Sequence, residues 1–97
     1  MEFDSFLQSV KQQKKPANLS SQLEALWYDG IGNWKKAHDL ADGPADQLSA
    51  RVHAYLHRKE GDQWNADYWY RRSGETRPSC SLQEEWELLV RRILDIQ

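Results

Sequence analysis

The chain has 97 residues, a length for one domain with one modest core. Thirteen basic against fifteen acidic residues, formal charge −2, exclude the basic excess of a general nucleic-acid binder and the polybasic patch of a membrane anchor. No run approaches the ~20 apolar residues of a membrane span, Met1-Glu2-Phe3-Asp4 lacks the opening of a secretory signal, and the lone Cys80 forms no internal disulfide, so the expected location is cytoplasmic.

Apolar residues make up 39% of the chain, below the usual ~45–50%, and five Trp, four Tyr and two Phe compensate with large rings. The first expected element is a helix over 3–14. Phe3, Phe6, Leu7 and Val10 stand at helical spacing, Asp4 is placed to cap it, and Pro16 ends it. A second helix is expected over 20–30, with Ser21 and Glu24 as a capping box and Leu19, Leu23, Leu26 and Trp27 as its apolar stripe. After Gly30 and Gly32, Asn33 caps a third helix over about 34–42 that holds Trp34, Ala37 and Leu40.

Gly43-Pro44 opens a fourth helix, about 45–60, with Pro in its first turn and Leu48, Val52, Tyr55 and Leu56 on its buried face. Gly61 closes it and Asp62 caps a fifth, about 63–73, which Gly74 ends. The loop 75–80 is polar. The last helix, 82–96, starts at a capping box of Ser81 and Glu84 and repeats Leu82, Trp86, Leu89, Val90 and Ile93 at threes and fours. No segment alternates long enough for a strand. The fold class is therefore all-α, a single domain over 1–97 of five to six helices. Two antiparallel hairpin units lie at about 20–42 and 45–74, flanked by the terminal helices.

A shift of 29 residues aligns the two units: Leu23 falls on Val52, Ala25 on Ala54, Gly32 on Gly61, Asn33 on Asp62 and Ala37 on Ala66. Gly32-Asn33 and Gly61-Asp62 are the structural turns. Glycine permits the reversal, the polar side chain caps the next helix, and alanine allows close approach. The strings Gly61-Asp62-Gln63-Trp64-Asn65-Ala66 and Gly32-Asn33-Trp34-Lys35-Lys36-Ala37 resemble the turn of the tetratricopeptide repeat, with Ala54 and Ser73 at its small positions. The resemblance implies stacked helical hairpins with a concave peptide-binding surface. The sequence departs from it in its period, 29 residues against ~34, and at Pro44, where a small helical residue is expected. Val52-His53-Ala54-Tyr55-Leu56-His57-Arg58-Lys59-Glu60-Gly61-Asp62, followed by Asn65-Ala66 and Tyr68-Trp69-Tyr70, is similar to a group of small, mostly bacterial uncharacterised proteins, and implies no activity.

Two constellations could carry chemistry. His53 and His57, four apart on one helix, lie on one face about 6 Å from each other, and His38 after the first turn could join them with Glu60 or Asp62. Three imidazoles and a carboxylate suit a divalent metal; the alternative is that all three histidines are structural. The pattern lacks the Glu of a His-Glu-x-x-His protease. The second is Tyr68-Trp69-Tyr70-Arg71-Arg72. Successive helical side chains turn by ~100°, so three rings cannot all face one core, and the expectation puts Trp69 in the core with Tyr68 and Tyr70 at the rim or on an interaction surface. Trp27, Trp34 and Trp64 are expected to cluster at the turns. Glu60, Asp62 and Asp67 are weighed as an acid–base set and set below capping and ion-pair roles, and Cys80 is a weak nucleophile candidate.

The favoured reading from sequence is a non-enzymatic module that binds a protein or peptide partner, with no nucleic acid and no membrane. The alternative is a small metal- or ligand-binding protein, or an enzyme, using His38, His53 and His57. A third reading is a homodimer formed through the last helix.

Overall fold

A computed structural model describes residues 1–96. Among them there are six helices and no strand: α1 Phe3–Gln12, α2 Ser21–Gly30, α3 Trp34–Asp42, α4 Gln47–Glu60, α5 Gln63–Ser73 and α6 Leu82–Ile96. The helices form a small bundle. The pairs α2–α3 and α4–α5 each pack along their lengths across a tight turn, and α4 also touches α2, α3 and α6. No helix is long and apolar enough to cross a membrane.

The turns follow from local chemistry. Gly32 and Gly61 adopt φ of +89° and +91°, a left-handed conformation that costs glycine little. Asn33 Oδ1 accepts from Lys36 N and Asp62 Oδ1 from Asn65 N, so each helix after a turn starts with an N–H group satisfied.

Several expected boundaries shift. α1 ends two residues early, at Gln12, with Gln13 at φ +54° as its C-cap, and its N-cap is Glu2 with no side-chain cap bond, so Asp4 lies inside the first turn. α2 is capped by Ser20, whose Oγ accepts from Leu23 N; Ser21 is already helical, and Glu24 pairs with Lys15 instead of closing a box. α4 begins at Gln47 behind an Asp46 cap, leaving Pro44 in the preceding turn. In α6 the expected box forms: Ser81 Oγ accepts from Glu84 N, and Glu84 Oε1 accepts from Ser81 N.

α4 occupies the centre. Nine consecutive residues, Ser49 to His57, are buried, as expected for a helix covered on all sides rather than along one stripe. Val52, Tyr55 and Leu56 meet Phe6, Leu23, Leu26, Trp27, Trp86, Val90 and Ile93 in the main core, and Trp86 Nε1 donates to the Leu26 carbonyl at 2.9 Å. On another side Ala54 meets Ala66, two methyl-sized residues that let α4 and α5 approach closely, with Tyr70 beside them.

Burial on every face also encloses polar groups. Glu85, 1% exposed, accepts from Arg51 Nη1 and Tyr70 Oη on Oε2 and from Arg58 Nη1 on Oε1, each at 2.6 Å. Burial, then the bond to Glu85, raises the Tyr70 phenol above its ordinary range, so it stays a donor. The buried Asp29 accepts from Tyr55 Oη and Lys59 Nζ, both at 2.8 Å. Each buried charge in these two sets has an opposite partner, which makes its burial tolerable.

Candidate metal centre

His38 stands in the second turn of α3, and His53 and His57 stand on successive turns of α4. The connection 43–46 folds α4 back onto α3, and the three rings meet. One ring nitrogen of each lies within 4.8 Å of the other two. His38 Nε2 and His53 Nε2 are 2.9 Å apart and share one hydrogen bond, with one imidazole donating and the other accepting. Ring centroids are 4.6 Å apart for His38–His53, 4.8 Å for His53–His57 and 5.1 Å for His38–His57.

Aromatic neighbours hold the rings. Trp69 of α5 stacks on His53 at 4.0 Å and 19°, and Trp34 stacks on His38 at 4.9 Å and 14°. Trp34 is itself fixed by its indole N–H, which donates to the Leu56 carbonyl at 2.8 Å.

Each Nδ1 has a carboxylate nearby. His57 Nδ1 is 2.7 Å from Glu60 Oε2, His53 Nδ1 is 3.8 Å from Asp42 Oδ1, and His38 Nδ1 is 3.9 Å from Asp39 Oδ1. Only the first is within hydrogen-bonding distance. His53 Nδ1 is the one buried side-chain polar atom without a hydrogen-bond partner among the described residues. Burial, reinforced by the neighbouring His38 and His57 and opposed by Asp42, pushes the His53 imidazole from 6.5 down to about 4. It is therefore neutral at pH 7, the state in which an imidazole offers a lone pair.

Glu60 thus joins the centre through His57 rather than through an ion pair with Lys or Arg. Asp62 also lies near His57 and Glu60. Its carboxylate is occupied at the start of α5, accepting from Asn65 Nδ2 and Asn65 N, bonds that hold it below the usual carboxylate range. Asp67 lies 3.6 Å from Arg77, and Cys80 is half-buried in its loop with its carbonyl accepting from Arg58. Neither belongs to the centre.

The aromatic run on α5 is arranged differently from expectation. Tyr70, 1% exposed, is the core ring, held by Glu85, and so it leaves the interaction surface; Tyr68 and Trp69 are half-buried at the rim. The reversal follows from helix spacing: Tyr70 stands four residues after Ala66 on the side of α5 that meets Ala54, and its hydroxyl reaches Glu85. Arg71 is exposed, and Arg72 lies over the rings of Tyr68 and Trp69 at 5.8 and 5.2 Å. The expected cluster of Trp27, Trp34 and Trp64 does not form. Trp27 is in the core, Trp34 is with the histidines, and Trp64 is 76% exposed.

Sequence reasoning missed Asp39, Asp42 and the two stacking indoles. Asp42 stands four residues after His38 on α3, a spacing that would have put it on the same face. The chain matches no family model, no curated protein and no solved structure.

Proposed function

We propose that the protein binds a divalent metal ion of the zinc class through His38, His53 and His57. The observation that carries this reading is the convergence of three ring nitrogens from two helices within 4.8 Å of one another. With metal–nitrogen distances of ~2.0–2.1 Å, tetrahedral geometry sets ligand nitrogens about 3.3 Å apart. The 2.9 Å His38–His53 contact needs to open only slightly; the ion takes the place of the proton between the two nitrogens, and the donating imidazole carries that proton on its Nδ1 instead. Because His57 Nδ1 faces Glu60, its Nε2 is the nitrogen left for the ion, and Glu60 fixes tautomer and ring orientation as an outer carboxylate does in metal sites. Asp42 stands ready to take the same part for His53. Imidazole donors suit zinc, copper, nickel and iron, and zinc is the probe without redox complications.

An equilibrium zinc titration of tag-free protein tests the reading. It predicts one equivalent bound and a rise in thermal midpoint with free zinc, because an ion that binds only the folded chain stabilises it by mass action. Absence of both saturable binding and any midpoint change overturns it.

The interaction reading retains one supporting observation. Trp64, exposed and edge-on to Tyr68 at 6.5 Å, extends a strip through Tyr68, Trp69 and Arg72 along the rim of α5. Exposed Trp beside Tyr and Arg has the composition of protein-binding hot spots, and peptide recognition by tetratricopeptide-like hairpins would use such a strip.

A further inference from the structure

We propose that the metal centre keeps one coordination position for a ligand from solution, a water molecule or a small monodentate anion, which makes it a site of ligand exchange rather than a structural staple. The inference rests on the three-histidine reading and goes beyond it. Structural zinc sites close their shell with four protein donors, whereas exchange-competent sites supply three.

The donor set here stops at three. Among the described residues no cysteine, aspartate, glutamate or further histidine joins His38, His53 and His57 as a group. The nearby acids sit on the far sides of the rings. Asp39, Asp42 and Glu60 each face an Nδ1, at 3.9, 3.8 and 2.7 Å, so an imidazole separates each of them from an ion bound at the Nε2 atoms. Asp62, which accepts from Asn65 at both oxygens, groups with His57 and Glu60 and not with His38 and His53.

The other neighbours cannot coordinate. Trp34 and Trp69 present ring faces to His38 and His53, and an indole has no lone pair to give. Access comes from the His38 side. The side chains of His53 and His57 are 3% and 10% exposed, while that of His38 is 24% exposed. The fourth donor therefore comes from solvent, arriving past His38, the most exposed of the three rings.

Cobalt(II) is the probe, because its visible bands report coordination number and ligand identity while it takes the same donors as zinc. The protein is loaded with one equivalent of cobalt and titrated with sodium azide, then with sodium cyanate as competitor. The proposal predicts a saturable change in the visible bands on adding azide, reversed by dilution and displaced by cyanate. Glu60→Gln separates the outer carboxylate from an inner ligand. As an outer partner it weakens cobalt binding about 10–100-fold while the azide response persists. Cobalt that binds with full affinity for the site but ignores azide to saturating concentration overturns the open position and leaves the three-histidine reading standing. Cobalt bands that ignore azide in the wild type yet respond to it in Glu60→Gln would make Glu60 the fourth ligand, and also overturn it. Failure of cobalt to bind at all overturns both.

Discussion

Glu85→Ala is expected to cost the folded state about 3–5 kcal/mol, the range for removing one member of a buried charge set and leaving the others unpaired. The residue is 1% exposed and is the common acceptor for Arg51, Arg58 and Tyr70. Truncation leaves two guanidinium groups without their shared counter-charge and a buried phenol without its acceptor. Glu75 compensates only Arg51, through Nε at 3.1 Å, and it is itself shared with Arg92. Near the midpoint, 1 kcal/mol moves a domain of this size by ~4–8 °C, so the midpoint should fall by more than about 12 °C. Urea unfolding followed by circular dichroism checks the value. A loss under about 1 kcal/mol would mean that water reaches the site and that these bonds do not hold α6 to α4 and α5.

The second large effect is on metal affinity. His53→Ala should lower zinc affinity by more than about 100-fold, beyond the ~10–100-fold of an outer-shell loss. His53 is the ligand with the least freedom, pinned between Trp69 and the His38 nitrogen. His38→Ala provides a parallel variant at a more open position, where side-chain removal disturbs the core less. Both are measured by competition against a chromophoric chelator, with far-ultraviolet circular dichroism showing that the helices persist. Retained affinity in both folded variants would place any bound ion elsewhere, for example on Glu60 and Asp62.

These two expectations differ in how far the sequence disclosed them. The helices and both hairpin turns were legible, because Gly32-Asn33 and Gly61-Asp62 act locally: a positive φ and a capping side chain require nothing from the rest of the chain. The His53/His57 pair was legible from helical spacing, and His38 from its place after the first turn. What escaped was set by tertiary packing. Glu85 stands four residues before Leu89 on the buried face of α6, yet its charge removed it from an apolar stripe although Arg51 and Arg58 wait across the interface. Tyr70 and Trp69 exchanged their expected places because the side of α5 that meets Ala54 of α4 is the one carrying Ala66 and Tyr70, and only the way the two helices pack decides that. Ser20 rather than Ser21 caps α2, a one-residue choice between two equally good side chains. The stacking of Trp34 and Trp69 on the imidazoles depends on how α3, α4 and α5 meet, which no local pattern encodes.

X-ray absorption at the zinc edge of the one-equivalent complex is the most direct test of the central claim. The geometry predicts a first shell of three imidazole nitrogens at about 2.0–2.1 Å, with the outer-ring scattering of histidine and a single additional light atom. A first shell made only of oxygens, or one with fewer than three imidazoles, would contradict it.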